Sequence, residues 1–162
     1  MANQQQLELL KREPAGSWNE WRKEHPEATP ELNEADFRST NLSGYDLSGA
    51  NLSGADLSNA DLSDADMSWS NLVGANLKDA RLAAINLTGA DLSGANLCAA
   101  QLADAILSQA TLLDTNLIDA NLEQVDLRDA NLTGAYLKGA NLRGTLVTSE
   151  QLSTARSPDE FP

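Results

Sequence analysis

From Ala35 to Gly144 an apolar residue returns at every fifth position through 22 consecutive pentapeptides, with no insertion or deletion. The central position i is Leu in 20 of the 22; Phe37 and Met67 fill the other two. Two residues earlier, Ala occupies 16 of 22 positions, and the residue directly before i is Asn or Asp in 17 of 22. The two positions after i are mostly Ser, Gly, Asp, Lys or Arg. A period of five suits neither regular element. On an α-helix five residues turn through about 500°, so successive leucines drift by about 140° and share no stripe. On a flat strand an odd period sends them to alternate faces. The pattern closes only if the chain bends once per repeat. Positions i−2 and i then point inward, i−1 points outward, and i+1 and i+2 form a turn rich in turn residues.

Bends of about 90° would close four repeats into a square coil of 20 residues, and the bulky exceptions at i−2 check that number. Tyr45, Ile85 and Val125 are spaced by 40 residues, so with 20 per coil they fall in one column, separated by Ala65 and Ala105. Large and small side chains then alternate along one inner edge, as close packing requires. With coils stacked at roughly 4.8 Å, the 22 repeats give about 5.5 coils and a rod about 26 Å long. Asn and Asp at i−1 stack into outward ladders able to hydrogen-bond along the stack.

Stretches such as Ala50-Asn51-Leu52-Ser53-Gly54 and Ala55-Asp56-Leu57-Ser58-Asn59 resemble the A(D/N)LXX motif of the pentapeptide-repeat family. The resemblance covers about two thirds of the chain. It implies a right-handed quadrilateral β-helix, an all-β solenoid; the handedness comes from the resemblance alone. Arg81, Gln101, Ile106, Thr111 and Tyr136 depart from Asn or Asp at i−1. The segment Trp18-Asn19-Glu20-Trp21-Arg22 is similar to an N-terminal cap found in some members, including cyanobacterial ones, many of which have no defined biochemical role.

A solenoid must cover the open ends of its core. Residues 1–34 are therefore read as a helical cap, 35–144 as the β-helix, and 145–162 as a short cap helix with a tail. Ser17 to Glu20 reads as a capping box, with Ser17 as N-cap and Glu20 at N3, opening a helix that stops before Pro26. Trp18 and Trp21, spaced i, i+3, share its inner face. An earlier turn carries Leu7, Leu9 and Leu10 and ends before Pro14. Thr148 to Gln151 is a second capping box, opening a helix over about 149–155 that lays Leu152 on the last coil. The Pro-ended segment 156–162 is expected to fray.

Composition narrows the function. Lys plus Arg is 11 against 24 Asp plus Glu, a net charge of −13. That balance argues against electrostatic binding to nucleic-acid phosphates or to an anionic membrane. The Gln-rich start has no apolar core of a signal peptide and no stretch is long enough to span a bilayer, so a cytoplasmic protein, monomeric by default, is expected. The single cysteine, Cys98, permits no internal disulfide. His25, the sole histidine, has no convergent partners. Asp61, Asp64 and Asp66 lack calcium-loop spacing. The Ser48, Ser68, Thr88, Ser108 column runs beside Asp and Asn and so lacks the flat matched ladders of an ice-binding face. No nucleophile–base pair or cofactor motif appears, so no catalytic residue, metal or cofactor is assigned.

The sequence therefore reads as a non-catalytic structural or protein-interaction module. The alternative is an acidic DNA mimic that protects a type II topoisomerase, as some relatives do; residues 39–77 hold five Asp and no Lys or Arg. Apolar residues at outward positions mark the candidate partner surface: Trp69, Val73, Ile106 and Leu113, with Ile118 one face further on. The first four gather around one corner of the 20-residue coil.

Overall fold

A computed structural model describes residues 2–12 and 15–156. Two helices, α1 (Gln4–Arg12) and α2 (Ala15–Glu24), precede the repeats, and α3 (Ser149–Thr154) follows them. Between them the chain coils into a β-helix solenoid. Parallel bridges run from Glu31↔Asn51 to Asp126↔Leu146, and every one joins residue n to residue n+20. The coil is thus four pentapeptides long. The walls contain isolated bridges and, among the described residues, no longer strand. The reason is the turn in every repeat, which leaves each wall too short for consecutive ladder pairs.

The repeat around Leu92 shows the bonding. Asp91 N donates back to Ser70 O at 3.0 Å, Leu92 N forward to Thr111 O at 2.8 Å, and Gly94 N to Leu113 O at 2.8 Å. The turn closes with Ala95 N donating to Leu92 O at 2.9 Å. The residue before that closing alanine has positive φ, as the second central position of a type II turn requires. Glycine takes this position at no steric cost, and Asn and Asp tolerate it. Trp69 occupies it too, with φ 58°.

At i−1 the side chain has a local task that the ladder idea does not contain. Its Oδ1 accepts the backbone N–H two residues ahead, as in Asn41 from Ser43, Asp61 from Ser63 and Asn96 from Cys98. Gln or Glu, one methylene longer, does not fit this Asx geometry. The Asn ladder forms as well: Asn76 donates to Asp56, Asn96 to Asn76 and Asn116 to Asn96, at 3.1–3.3 Å.

Every central residue from Leu32 through Leu127 is fully buried, and Leu132 nearly so. Tyr45, Ala65, Ile85, Ala105 and Val125 line one inner column, as the 20-residue bridges dictate. The buried hydroxyls are satisfied: Ser70 donates to Met67 O and Thr115 to Leu92 O.

At the N-terminal end, α2 lies along the first wall segment, residues 44–48, where a preceding coil would sit. Its side chains replace that coil's backbone. Asn19 bonds Gly44 O and Asp46 N, Trp18 Nε1 donates to Asp46 O at 2.6 Å, and Arg22 donates to Ser48 O at 2.8 Å. On the next wall, Gln6 Oε1 accepts from Glu31 N, and Asn3 N donates to Glu31 O. Trp18 is fully buried, Trp21 half-buried, and their ring centroids are 5.1 Å apart. Leu10 is buried with Leu7 and Leu9 half-buried beside it. One expectation is corrected: Ser17 is not an N-cap, because α2 already runs from Ala15 and Ser17 is its third residue. Glu20 is therefore not at N3 and stands exposed. The helix is positioned by its side-chain bonds to the wall. The expected stop at Pro14 lies outside the described residues.

At the other end Thr148 is the N-cap of α3, with Gln151 completing the capping box. Gln151 Nε2 also donates to Leu127 O and Ala130 O, and Leu152 packs half-buried on the core. Thr154 O accepts from Gly134 N, and Arg156 N donates to Ala135 O. Leu137 and Leu142 remain only partly buried. Of the segment expected to fray, Arg156 is instead tied to the coil by the N–H it donates to Ala135 O, and residues 157–162 lie outside the described residues.

Candidate functional site

The groups with chemical potential are tied into the scaffold. His25 Nδ1 donates to Trp21 O at 2.9 Å, and its ring stacks on Trp21. Cys98 is a half-buried free thiol at a turn position. Among the described residues, no group of three or more His, Cys, Asp or Glu is placed to hold a metal ion, and no helix is long and apolar enough to cross a membrane.

Asp36, Asp56, Asp61 and Asp126 are held ionised. Two bonds from the Arg38 guanidinium, at 2.7 and 2.9 Å, keep Asp36 far below the usual carboxylate range. Asp126 is lowered the same way by Arg128. Asp56 is lowered chiefly by the Ser58 hydroxyl and Asp61 by Ser63, with Arg38 and Arg81 adding charge attraction. The acidic stretch is therefore hydrogen-bonded locally, and beyond residue 70 Asn76 and Asn86 stack over Asp56 and Asp66.

The apolar outliers are Trp69, 65% exposed, Val73, Ile106, Leu113 and also Leu146. Ile118, by contrast, is half-buried. Bridges place Ile106 on the wall of Asp46, Asp66, Asn86 and Asp126. Hydrogen bonds align Val73, Ser93 and Leu113 in one column of the adjoining wall. Trp69 stands at the corner between the two walls. The structure thus brings these residues to one corner but not into one continuous patch, since Ser93 and Asn86 intervene. Leu146 was missed because the repeat count stopped at Gly144; its bridge to Asp126 shows that it continues the i−1 column.

Trp69 has a defined pose. In its column the neighbours at ±20 are Gly49 and Gly89. A Cβ added at Gly89 would run into the indole carbons Cε3, Cζ3 and Cδ2, so the ring lies flat over that glycine. A Cβ at Gly49 would meet nothing within 4 Å. On this open side a groove of about 380 Å³ runs between the corner and the loop after α2. It is lined by Arg22, Pro26, Glu27, Ala28, Thr29, Ser48, Gly49, Ser68 and Trp69. Arg22, 8% exposed, ties the groove together: Nη1 donates to Ala28 O at 2.6 Å, Nη2 to Ser48 O and Oγ, and Nε lies 3.8 Å from Asp46 Oδ1. The groove could not be read from the repeats, because half of it comes from the irregular loop. The Gly49–Trp69–Gly89 column, however, was legible at the 20-residue spacing.

A family model described as pentapeptide repeats matches the chain in eight copies, over segments 31–68, 40–79, 75–112 and 112–146. A pentapeptide repeat protein from the Arabidopsis thaliana thylakoid lumen is 27% identical over 69% of this chain and 71% of its own, with a TM-score of 0.53. HetL from Nostoc sp. strain PCC 7120, involved in heterocyst differentiation regulation, is 34% identical over 80% of this chain and 68% of its own, TM-score 0.34. Rfr23 from Cyanothece 51142 is 28% identical over 81% of this chain and 94% of its own, TM-score 0.46. No curated protein matches the chain.

Proposed function

The chain belongs to the pentapeptide-repeat family of right-handed β-helical solenoids, and from that premise we propose that it is a non-catalytic structural module that binds a protein partner at the Trp69 corner. The remaining apolar contacts come from Val73, Ile106 and Leu113. The single observation behind this reading is Trp69 itself. A bulky residue at positive φ is a backbone outlier, costing about 1–2 kcal/mol against the right-handed region. Here that cost accompanies a ring left 65% exposed. Other non-glycine residues share this turn conformation, but among the described ones Trp69 alone is a large aromatic left exposed, and Trp is enriched at binding hot spots. The rod of about 5.5 coils, with helical ends at 1–34 and 145–162, serves as its rigid mount, and we place the protein in the cytoplasm as a monomer.

The test is capture of a native-host partner on the immobilised protein. Trp69→Ala is expected to abolish capture while leaving the circular dichroism spectrum nearly unchanged. Undiminished capture by the Trp69→Ala, Leu113→Ser double variant would remove this corner as the site. The acidic stretch 39–77, devoid of Lys and Arg, favours one second reading, a DNA mimic protecting a type II topoisomerase. A gyrase supercoiling assay with and without fluoroquinolone separates the two, and no effect at micromolar protein eliminates the mimic.

A further inference from the structure

Resting on the Trp69 corner as a docking site, the geometry points to the kind of partner it takes: an extended segment of a basic protein, inserting a lysine or arginine side chain into the groove between Trp69 and the 26–29 loop.

The inference begins with the two faces of the indole. One lies against Gly89, where there is no room even for a Cβ. The rest of the ring is open, since Trp69 is 65% exposed and also lines the groove. The free face of an indole is negative and attracts a cation placed over it. The groove's charges agree. Among the described residues Arg22 is its only cationic lining residue, and it is already committed to two backbone carbonyls and faces Asp46. The exposed charge in the lining is the carboxylate of Glu27. On the two walls meeting at the corner, the first coils carry Asp46, Asp66, Glu31 and Asp91 and no Lys or Arg. An anionic segment would be repelled there. A neutral apolar one would leave Glu27 without a partner. The hydroxyls of Thr29, Ser48 and Ser68 along the rim can bond the backbone of an extended segment.

Gly49 gives a way to close the groove without touching Trp69. Side chains at the second turn position lean toward the next coil: Asp114 over Gly134, Asp119 over Gly139, Gln124 over Gly144. Glutamine is already accepted there with positive φ at Gln109 and Gln124. Gly49→Gln therefore carries its side chain toward the coil of Trp69 and fills the groove beside it.

The experiment is a heteronuclear NMR titration of the full chain with acetyl-Gly-Lys-Gly-Lys-Gly-amide and its matched glutamate and norleucine versions. The lysine peptide is expected to move the Trp69 indole N–H and the amides of Ser48, Gly49 and Ser68. Trp69→Ala and Gly49→Gln should each weaken binding about fivefold, and Glu27→Gln about two- to threefold, as the loss of a cation–π contact or one exposed charge implies. Retained chemical-shift dispersion in each variant establishes that it is folded. Equal shifts with the norleucine or glutamate peptide overturn the cation while leaving the corner as a docking site. Shifts spread over all walls and unchanged by Trp69→Ala or Gly49→Gln show diffuse charge attraction and overturn the groove. No shift at the Trp69 indole at millimolar peptide overturns it as well, whereas the corner itself stands or falls by the capture experiment.

Discussion

Gly89→Ala, compared with Gly94→Ala, measures how firmly Trp69 is held in place. Both glycines sit at nearly the same backbone conformation, φ 66° and 65°. Ala84 and Ala99 already occupy equivalent turn positions, so alanine is compatible with the turn. At Gly94 an added Cβ meets nothing within 4 Å. The cost there is the left-handed strain of about 1–2 kcal/mol, reduced by about 0.4–1 kcal/mol because alanine restricts the unfolded chain. The net is a loss of about 1 kcal/mol. At Gly89 the same terms apply, and the Cβ also strikes the indole, which must swing off its support. Trp69 has about a third of its surface covered. For a side chain that buries 150–250 Å² when fully enclosed, that is about 70 Å², worth at most about 2 kcal/mol at 25 cal/mol per Å². Gly89→Ala should therefore cost about 1–2 kcal/mol more than Gly94→Ala. Urea unfolding followed by far-UV circular dichroism reads both numbers. In a Trp69→Ala background the gap should vanish, since neighbours couple only through the contact removed. Equal costs at the two glycines, or a gap that survives Trp69→Ala, would refute the stacked pose. Partner capture offers a further reading: Gly89→Ala removes no contacting side chain, yet by freeing the ring it should weaken capture.

Leu92→Ala should cost about 2–5 kcal/mol as a buried truncation, whereas Ser93→Ala, one residue on and facing outward, should stay within about 0.5 kcal/mol; similar urea midpoints would contradict the in/out register. Removing residues 1–28 strips the side chains that pair the 44–48 wall and exposes an unpaired edge, so light scattering should report association; an unchanged monomer of full stability would contradict the end-covering role of α1 and α2. Because Asp126 is held below its unfolded value by Arg128, its contribution is present above about pH 4 and is lost as pH falls through the depressed folded value. The stability gap between wild type and Asp126→Asn should thus be constant from pH 7 to 5 and close below pH 4; a gap that widens on acidification would reverse the assigned direction.

The repeat register was legible because each pentapeptide carries its own inside, outside and turn positions, and the Tyr45, Ile85, Val125 spacing supported the coil length that the bridges then show. What escaped were interactions between a repeat and something irregular. Ser17 looked like a cap because its neighbours have capping-box spacing, but α2 is anchored by Asn19, Trp18 and Arg22 reaching a wall more than 20 residues away. Nothing in the local sequence marks Arg22 as a buried strut. The Asx bonds at i−1 were hidden for a different reason: Asn and Asp suit both a solvent-facing ladder and a local turn, and only the structure shows that they do both. Trp69 was singled out as exposed from its register. Its pose required knowing that turn side chains lean toward the following coil.

The constant offset of 20 in every bridge also works as an angular address. Inserting five residues anywhere between Ser70 and Ala105 would rotate everything after it by a quarter turn, moving Ile106 onto the wall of Val73 and carrying Leu113 away from the corner, while leaving each repeat intact. Inserting 20 residues would keep every face in line and only lengthen the rod, by about 4.8 Å. A scaffold of this kind can therefore be lengthened in whole coils, or have its surface redistributed in quarter turns, without redesigning its core. Duplication of a short stretch of coding sequence is enough to produce either change.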